Sequence, residues 1–443
     1  MIISFRFYRY LATMQYFSTN RRSPHVSFRD ALLTGQPDDK GLYFPSEIPR
    51  LSDDWLQQMP DMPSEQIAFD VIRPFVAGEI PDDALYEICT DTLSFDFPLV
   101  PISDRISALE LFHGPTLAFK DVGARFMSRC LQYFLRDKSE KTFVIVATSG
   151  DTGGAVAAGF HGVEGIEVII LYPKGKVSRV QELQLTTLGG NVITLEVQGN
   201  FDDCQALAKE ALADAELQAR VHLTSANSIN VGRWLPQQFY YFYALKQWAG
   251  EAPVISVPSG NFGNLASGIL AHASGLPVKK FIAACNANDV VPRFMQTADY
   301  QPRGSVATLS NAMDVGSPSN FVRILEIFDN KFVDLKEKLE AVSISDETTA
   351  STMLDVYRNS GYILDPHGAV GYRALSDHLE HHPDRKGIFL ETAHPVKFDS
   401  VSAIIGTQGE IPASVEALFS KRKQSIEMEA RYEDLKDLLL SKI

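Results

Sequence analysis

The residues best suited to chemistry gather in five short runs. The first is HGPTLAFKD, His113 to Asp121, which sets one lysine, Lys120, behind the apolar residues Leu117, Ala118 and Phe119. An amine with apolar neighbours loses its proton nearer neutral pH, because desolvation disfavours its charged form. That is the condition for a Schiff-base lysine, although a surface lysine whose stem crosses apolar neighbours gives the same local pattern. The second run, ATSGDTGGAVAAG from Ala147 to Gly159, places Ser149, Asp151 and Thr152 among glycines at a strand-to-helix junction. It lacks the G-x-G-x-x-G spacing of a dinucleotide site and reads either as an anion-binding helix start or as an ordinary connection. The third, VPSGNFGNLASG from Val257 to Gly268, can close into a cup of backbone N–H groups matched to a phosphate dianion. No Lys-Ser/Thr pair follows it, so it is not a Walker A loop.

The fourth run is NSINVGR, Asn227 to Arg233. Its amides, hydroxyl and guanidinium suit a second anion, with Arg233 fitted to bidentate pairing, and they equally suit a capped helix start with a surface arginine. In the fifth, FLETAHPVKF from Phe389 to Phe398, a buried strand ends in Glu391 and Thr392, which presents a neutral hydroxyl. His394 reads as a structural histidine rather than a base. His378 and His382 have the i, i+4 spacing of a metal pair but lack the H-E-x-x-H order, and they sit at a helix end before Pro383. No metal site is expected.

These runs need a frame to hold them. Val122, Phe126, Cys130 and Phe134 recur at helical spacing through Asp121–Leu135, so a helix follows Lys120 at once. Apolar, β-branched runs at Thr142–Ala147, Glu167–Tyr172, Val192–Val197, Val254–Val257, Lys280–Ala284 and Gly387–Leu390 alternate with helical patterns. That alternation means an α/β fold with parallel sheet and covering helices, whose ligands sit at the carboxyl ends of the strands. Residues 14–98, broken by prolines and without a series of buried strands, read as a small, mostly helical N-terminal domain. Residues 99–408 form the α/β catalytic region, with a helical insertion or lid at about 295–345, and 409–443 read as a charged helical tail. Residues 1–13 carry Arg6 and Arg9 and no acid; they read as a non-native or disordered start, with Met14 the true first residue.

Bulk properties narrow the class. A chain of 443 residues exceeds the usual limit of a single core, so two or three domains are expected. A net charge of −14 argues against a nucleic-acid partner. No stretch supplies the ~18 uninterrupted apolar residues of a spanning helix. Cys89, Cys130, Cys204 and Cys285 lie far apart, which fits a reducing compartment and a cytoplasmic location.

Taken in order, LFHGPTLAFKD, TSGDTGGAVA, LYPKGKVS, QLTTLGGNV, NSINVGR, PSGNFGN, DPHGAVGYRAL and TAHPVKF resemble the threonine synthase family, within the β-family (fold type II) of pyridoxal-phosphate enzymes. The resemblance covers nearly the whole chain from about Met14, and the N-terminal extension is similar to that of the longer type in the family. It implies two parallel-sheet α/β domains with the cofactor between them, plus the helical N-terminal domain. It also implies that Lys120 forms the Schiff base with pyridoxal 5′-phosphate. Gly260, Asn261, Phe262, Gly263 and Asn264 would hold the cofactor phosphate, Asp151 would face the ring's 3′-oxygen, and Thr392 would meet the pyridine nitrogen. Many relatives have Asn where Asp151 stands. Ser149 and Thr152 would meet the substrate carboxylate, and Asn227, Ser228, Asn230 and Arg233 its phosphate.

The implied reaction is that of a lyase closing threonine biosynthesis, from O-phospho-L-homoserine and water to L-threonine and phosphate. The implied partner is that small molecule, with no nucleic acid or membrane, in a monomer or homodimer. Val122 and Gly368 depart from the bulkier or hydroxylic residues expected at their positions. Three rivals remain at this stage. A phospho-lyase would release a 2-oxo acid from the same substrate; a threonine dehydratase or cysteine synthase would leave Arg233 without a phosphate; a non-catalytic ligand sensor would not need Lys120.

Overall fold

The computed structural model describes residues 14–76, 78–137 and 141–442; residues 1–13, and with them the expectation about the start of the chain, lie outside these. Thirteen strands occur among the described residues. In chain order they are β1 (Tyr16–Ser18), β2 (Tyr43–Pro45), β3 (Leu99–Pro101), β4 (Ile106–Glu110), β5 (Thr142–Ala147), β6 (Ile166–Pro173) and β7 (Val192–Gln198), followed by β8 (His222–Ser225), β9 (Val254–Pro258), β10 (Lys280–Cys285), β11 (Leu339–Ser343), β12 (Gly387–Glu391) and β13 (Ile426–Glu429).

Two sheets carry the α/β region. One has the order β11-β10-β9-β12-β4-β3, parallel except for the antiparallel β3–β4 edge; the other has the order β13-β7-β6-β5-β8 and is parallel throughout. The reason lies in composition. β5 reads TFVIVA and β9 reads VISVP, and every residue of both is buried, as strands covered by helices on both faces require. The expected α/β architecture is therefore the observed one. Residues 14–98 hold the helices Phe28–Thr34, Asp53–Gln58, Ser64–Val76 and Asp82–Thr92 beside the short β1–β2 ribbon. They share the main core with the α/β region; Phe44, for example, stacks 5.7 Å from Trp234.

Two regional expectations need correction. The 295–345 insertion does contain the helices Phe321–Ile327 and Phe332–Lys338, but it closes with β11, which joins the larger sheet beside β10. The tail is not wholly helical either, because β13 lies between the helices Ala413–Phe419 and Tyr432–Leu440 and pairs with β7. Both are edge strands, LEAVS and IEME. An edge strand keeps charged residues and presents little apolar pattern, so neither stood out from its neighbours.

The five chemical runs occupy the loops after β4, β5, β8, β9 and β12. In parallel sheets these loops open at the carboxyl ends, where ligands bind. Among the described residues no helix is long and apolar enough to cross a membrane.

Candidate active site

Lys120 is the first residue of the helix Lys120–Leu135, so its side chain leaves from a helix N-terminus, where the dipole disfavours a cation. The loop before it turns at Leu117, whose φ of 58° is left-handed. This loop is stitched to the segment after β12: Phe119 N–H donates to the Thr392 carbonyl (2.9 Å) and His394 N–H to the Leu117 carbonyl (3.0 Å). Lys120 and Thr392 are thereby held on adjoining backbones. The Lys120 side chain is 15% exposed, and its Nζ lies 3.7 Å from Asp151 Oδ2. Burial pulls its pKa down, the Asp151 carboxylate pulls it up, and the positive charges of Lys397 and Arg233 pull it down again; the net direction is downward.

Asp151 opens the helix Asp151–Phe160, after Gly150 at a φ of 135°. Lys397 Nζ sits 2.7 Å from its Oδ1, and Gln181 Nε2 donates to the same oxygen at 3.0 Å. Burial alone would push this carboxyl up. The charges of Lys397 and Lys120 and these hydrogen bonds overcome that and hold it well below the usual range, so Asp151 is an anion. Lys397 lies in the fifth run, FLETAHPVKF, and is not among the site residues expected from the sequence. The available signal was a lysine placed inside the otherwise apolar PVKF. His394 accepts from Val396 N–H at 3.1 Å, and burial with the nearby His113 pulls its pKa down to about 4, so it is a neutral structural residue.

The loop Gly260–Asn264 runs from the end of β9 into the next helix. Phe262 takes the left-handed conformation (φ 63°) just before the helix Gly263–Ala273, whose first N–H groups have no intrahelical acceptor. Gly260 is required by contact, since a Cβ there would lie 2.5 Å from Met313 Cα of the insertion. Asn264 Oδ1 accepts from the Tyr241 hydroxyl (2.9 Å), which leaves its buried Nδ2 with no partner. The Asn261 side chain is engaged elsewhere. Its Oδ1 accepts from the N–H (2.7 Å) and hydroxyl (2.8 Å) of Ser319, leaving its backbone for the cup.

On the other wall, Ser228 Oγ accepts from Asn261 Nδ2 (2.8 Å) and Asn320 Nδ2 (3.0 Å), so its own proton remains to be donated. Asn227 uses its Nδ2 on the Ala147 carbonyl at 3.0 Å, tying the ends of β5 and β8 together. Arg233 is 2% exposed. Its Nη1 donates to the Ala226 carbonyl at 2.5 Å and its Nε has no partner. No carboxylate lies within ion-pair distance of it among the described residues, and burial lowers its pKa to about 10. Gly123 makes room for it, since a Cβ there would lie 2.7 Å from the Arg233 carbonyl oxygen.

A cleft of about 1700 Å³ between the two sheets is lined by every residue expected from the sequence except one. The exception, Asn230, is a correction. Its Nδ2 donates to the carbonyls of Leu32 (2.8 Å) and Ser225 (3.2 Å), and its Oδ1 accepts from Gly232 N–H (2.9 Å). Its Oδ1 thus caps the helix Val231–Trp234 while its Nδ2 ties the loop to Leu32 and Ser225, and none of these atoms is left for a ligand. Among the described residues no cluster of His, Cys, Asp and Glu is arranged to hold a metal.

The donor set fits a phosphate-bearing aldehyde. A lysine amine with a lowered pKa faces one side of the cleft, and an orphaned Asn264 amide and a glycine cup face the other.

Comparison with known proteins gives the same assignment. The model of the family described as pyridoxal-phosphate dependent enzyme matches residues 104–390, that described as threonine synthase N terminus matches 15–93, and that described as threonine synthase, C-terminal, matches 368–439. The threonine synthase of Serratia marcescens is 45% identical over 91% of this chain and 93% of its own. The crystal structure of threonine synthase from Escherichia coli superposes with a TM-score of 0.91 at 42% identity, covering 97% of this chain and all of that one. The pyridoxal-phosphate-bound threonine synthase from Brucella melitensis gives a TM-score of 0.89 at 33% identity, over 96% of this chain and 99% of its own. The chain belongs to the threonine synthase family of pyridoxal-phosphate-dependent enzymes.

Proposed function

We propose that Lys120 is the amine that carries pyridoxal phosphate and moves the substrate's protons while this chain converts O-phospho-L-homoserine and water to L-threonine and phosphate. What carries this proposal is a pair of basic groups on one cleft. Lys120 faces Asp151 across 3.7 Å, and Arg233 is buried with an unpartnered Nε, influenced by the Asp121 charge but with no carboxylate in ion-pair contact among the described residues. A buried guanidinium without a carboxylate is costly in an empty protein and well matched to a phosphate ester.

When bound, pyridoxal phosphate supplies an electron sink that acidifies first the α-proton and then the β-protons of the substrate amino acid. The cup at Gly260–Asn264 anchors the cofactor through backbone N–H groups and Asn264 Nδ2. Thr392 offers a neutral hydroxyl to the ring nitrogen. Ser149 and Thr152 bind the substrate carboxylate at the start of the Asp151 helix. Arg233 and the Ser228 hydroxyl hold the substrate phosphate until it leaves from Cγ. The Lys120 amine, uncharged at that point, takes the α-proton and later displaces the product. Asn227 acts by holding the loop that carries Ser228.

This is a small-molecule enzyme. We assign it to the cytoplasm, which four buried cysteines outside any disulfide support, and expect a monomer or homodimer. Incubation with pyridoxal phosphate and O-phosphohomoserine, with the product identified by mass spectrometry, tests the reaction. Threonine is expected, and 2-oxobutyrate would mark a phospho-lyase instead. Lys120→Ala should lower turnover by at least ~10³-fold; wild-type turnover by this variant refutes the mechanism.

A further inference from the structure

Lys397 takes no part in the steps above, yet it is the most completely enclosed cation of the site. Its side chain is wholly buried, with Nζ 2.7 Å from Asp151 Oδ1 and 2.7 Å from the Thr116 carbonyl. Thr116 in turn gives its N–H to Asp121, beside Lys120, at 2.9 Å. One ammonium therefore joins the loops after β4, β5 and β12.

The charges around it decide what that junction does. Lys120 is faced by Asp151 from the Asp151–Phe160 helix, by Lys397 from the segment after β12, and by Arg233 from the Val231–Trp234 helix. Lys397 is itself faced by Asp121 and His394 as well as by Asp151. Among the described residues the one carboxylate in contact with both lysines is Asp151, and it sits closer to Lys397 (2.7 Å) than to Lys120 (3.7 Å). An ammonium with no access to water needs a counter-ion. Lys120 keeps some access to water and starts a helix, where a cation is disfavoured.

We propose that Lys397 is a positioning residue for the reaction: it holds Asp151 in a permanent ion pair and so leaves the Lys120 amine free to exist uncharged. This rests on the reading of Lys120 as the cofactor-bearing amine. Without Lys397, Asp151 would have Lys120 as its one ammonium partner and would hold it protonated. The downward direction already noted for Lys120, to which the Lys397 charge contributes, agrees with this.

The test measures amine reactivity in the apoenzyme, with trace acetic anhydride between pH 6 and 10 and peptide mass spectrometry. In the wild-type protein Lys120 should label at a lower pH than the exposed Lys209, and the wholly buried Lys397 should stay unlabelled wherever Lys120 reacts. Lys397→Met keeps the volume and removes the charge. It should raise the Lys120 midpoint by about one unit, a tenfold loss of labelling at pH 7.5. A folded K397M whose Lys120 midpoint is unmoved overturns the proposal and leaves Lys397 a structural residue. If K397M does not fold, the wild-type protein decides: Lys397 labelling alongside Lys120, or Lys120 labelling no earlier than Lys209, overturns it. Borohydride reduction of the holoenzyme and mapping of the pyridoxyl-lysine peptide keep the two claims apart. A tag away from Lys120 refutes the cofactor reading; a tag on Lys120 with unmoved midpoints refutes only the role of Lys397.

Discussion

Asn264 Nδ2 and Arg233 Nε are buried nitrogens with no acceptor inside the protein. Leaving a buried donor unpaired costs about 1–3 kcal/mol, more for a charged group, so each should repay that cost to its own ligand. Asn264→Ala should weaken pyridoxal phosphate binding about tenfold, read by titrating apoenzyme and following the visible absorbance, with little change in KM for the substrate. Arg233→Ala should do the reverse. We expect KM for O-phosphohomoserine to rise roughly 30- to 100-fold, equivalent to about 2–3 kcal/mol for a charge-assisted contact, with cofactor affinity nearly intact. Equal effects of both variants on cofactor affinity would contradict the division of the cleft into two anion sites. Among the single residues, the placement of Lys120 and the Gly260–Asn264 loop at the cleft was legible, because a lysine behind apolar residues and closely spaced glycines stand out in the chain. Asn230 was misread because an amide that caps a helix and an amide that binds a ligand look alike in sequence. Its two donor bonds, to Leu32 and Ser225, depend on a neighbour 198 residues away and on a strand end, which no local pattern reveals.

At the scale of elements, the helix Pro366–Glu380 packs on strand β12, and Gly368 stands at a point where the two come especially close. A Cβ on Gly368 would lie 1.4 Å from Glu391 Oε2, so the departure noted at position 368 is the counterpart of a buried glutamate. Burial and the neighbouring Asp365 charge push the Glu391 carboxyl well up, and its Oε1 accepts from Asp365 N–H at 2.7 Å. Gly368→Ala should therefore destabilise the protein by about 1–3 kcal/mol, measured by urea unfolding of the apoenzyme. In a Glu391→Ala background most of that cost should vanish, because the two changes share one contact. An additive pair would show that the glycine is needed for some other reason. The six central strands were legible from their apolar runs, and each occurs within a residue or two of its expected bounds. β4, β8, β11 and β13 were not. They are short, mix polar residues into the run, or lie at an edge where half the pattern faces water, as in HLTS and IEME.

In the whole molecule, the larger sheet supplies the cup after β9 and Thr392 after β12, while the smaller sheet supplies Ser149 and Thr152 after β5 and Ser228 after β8. On the proposed reading, the larger sheet supplies most of the cofactor's contacts and the smaller sheet those of the substrate, with Asp151 after β5 the exception. The Lys397–Asp151 pair crosses between them. The parallel arrangement was predictable from the alternation of strand and helix. The pairing of these two loops was not, since 246 positions of chain separate a lysine and an aspartate that touch only in the folded state.

The contact between Gly260 and Met313 carries a consequence for proteolysis. Residues 301–307 form an exposed run that contains Arg303. It is tied at Val306 by both hydrogen bonds to Asn288 (2.8 and 3.0 Å) and at Arg303 N–H by the Gly316 carbonyl (2.9 Å), three residues beyond Met313. Met313 lies against Gly260 of the proposed cup, so filling the cup should brace the segment from which this run hangs. Trypsin should cut after Arg303 several-fold more slowly in holoenzyme than in apoenzyme, followed by the appearance of the fragment beginning at Gly304; equal rates would mean that the brace does not reach the surface. Sensitivity of this one peptide bond to protease would then report cofactor occupancy without any assay of turnover.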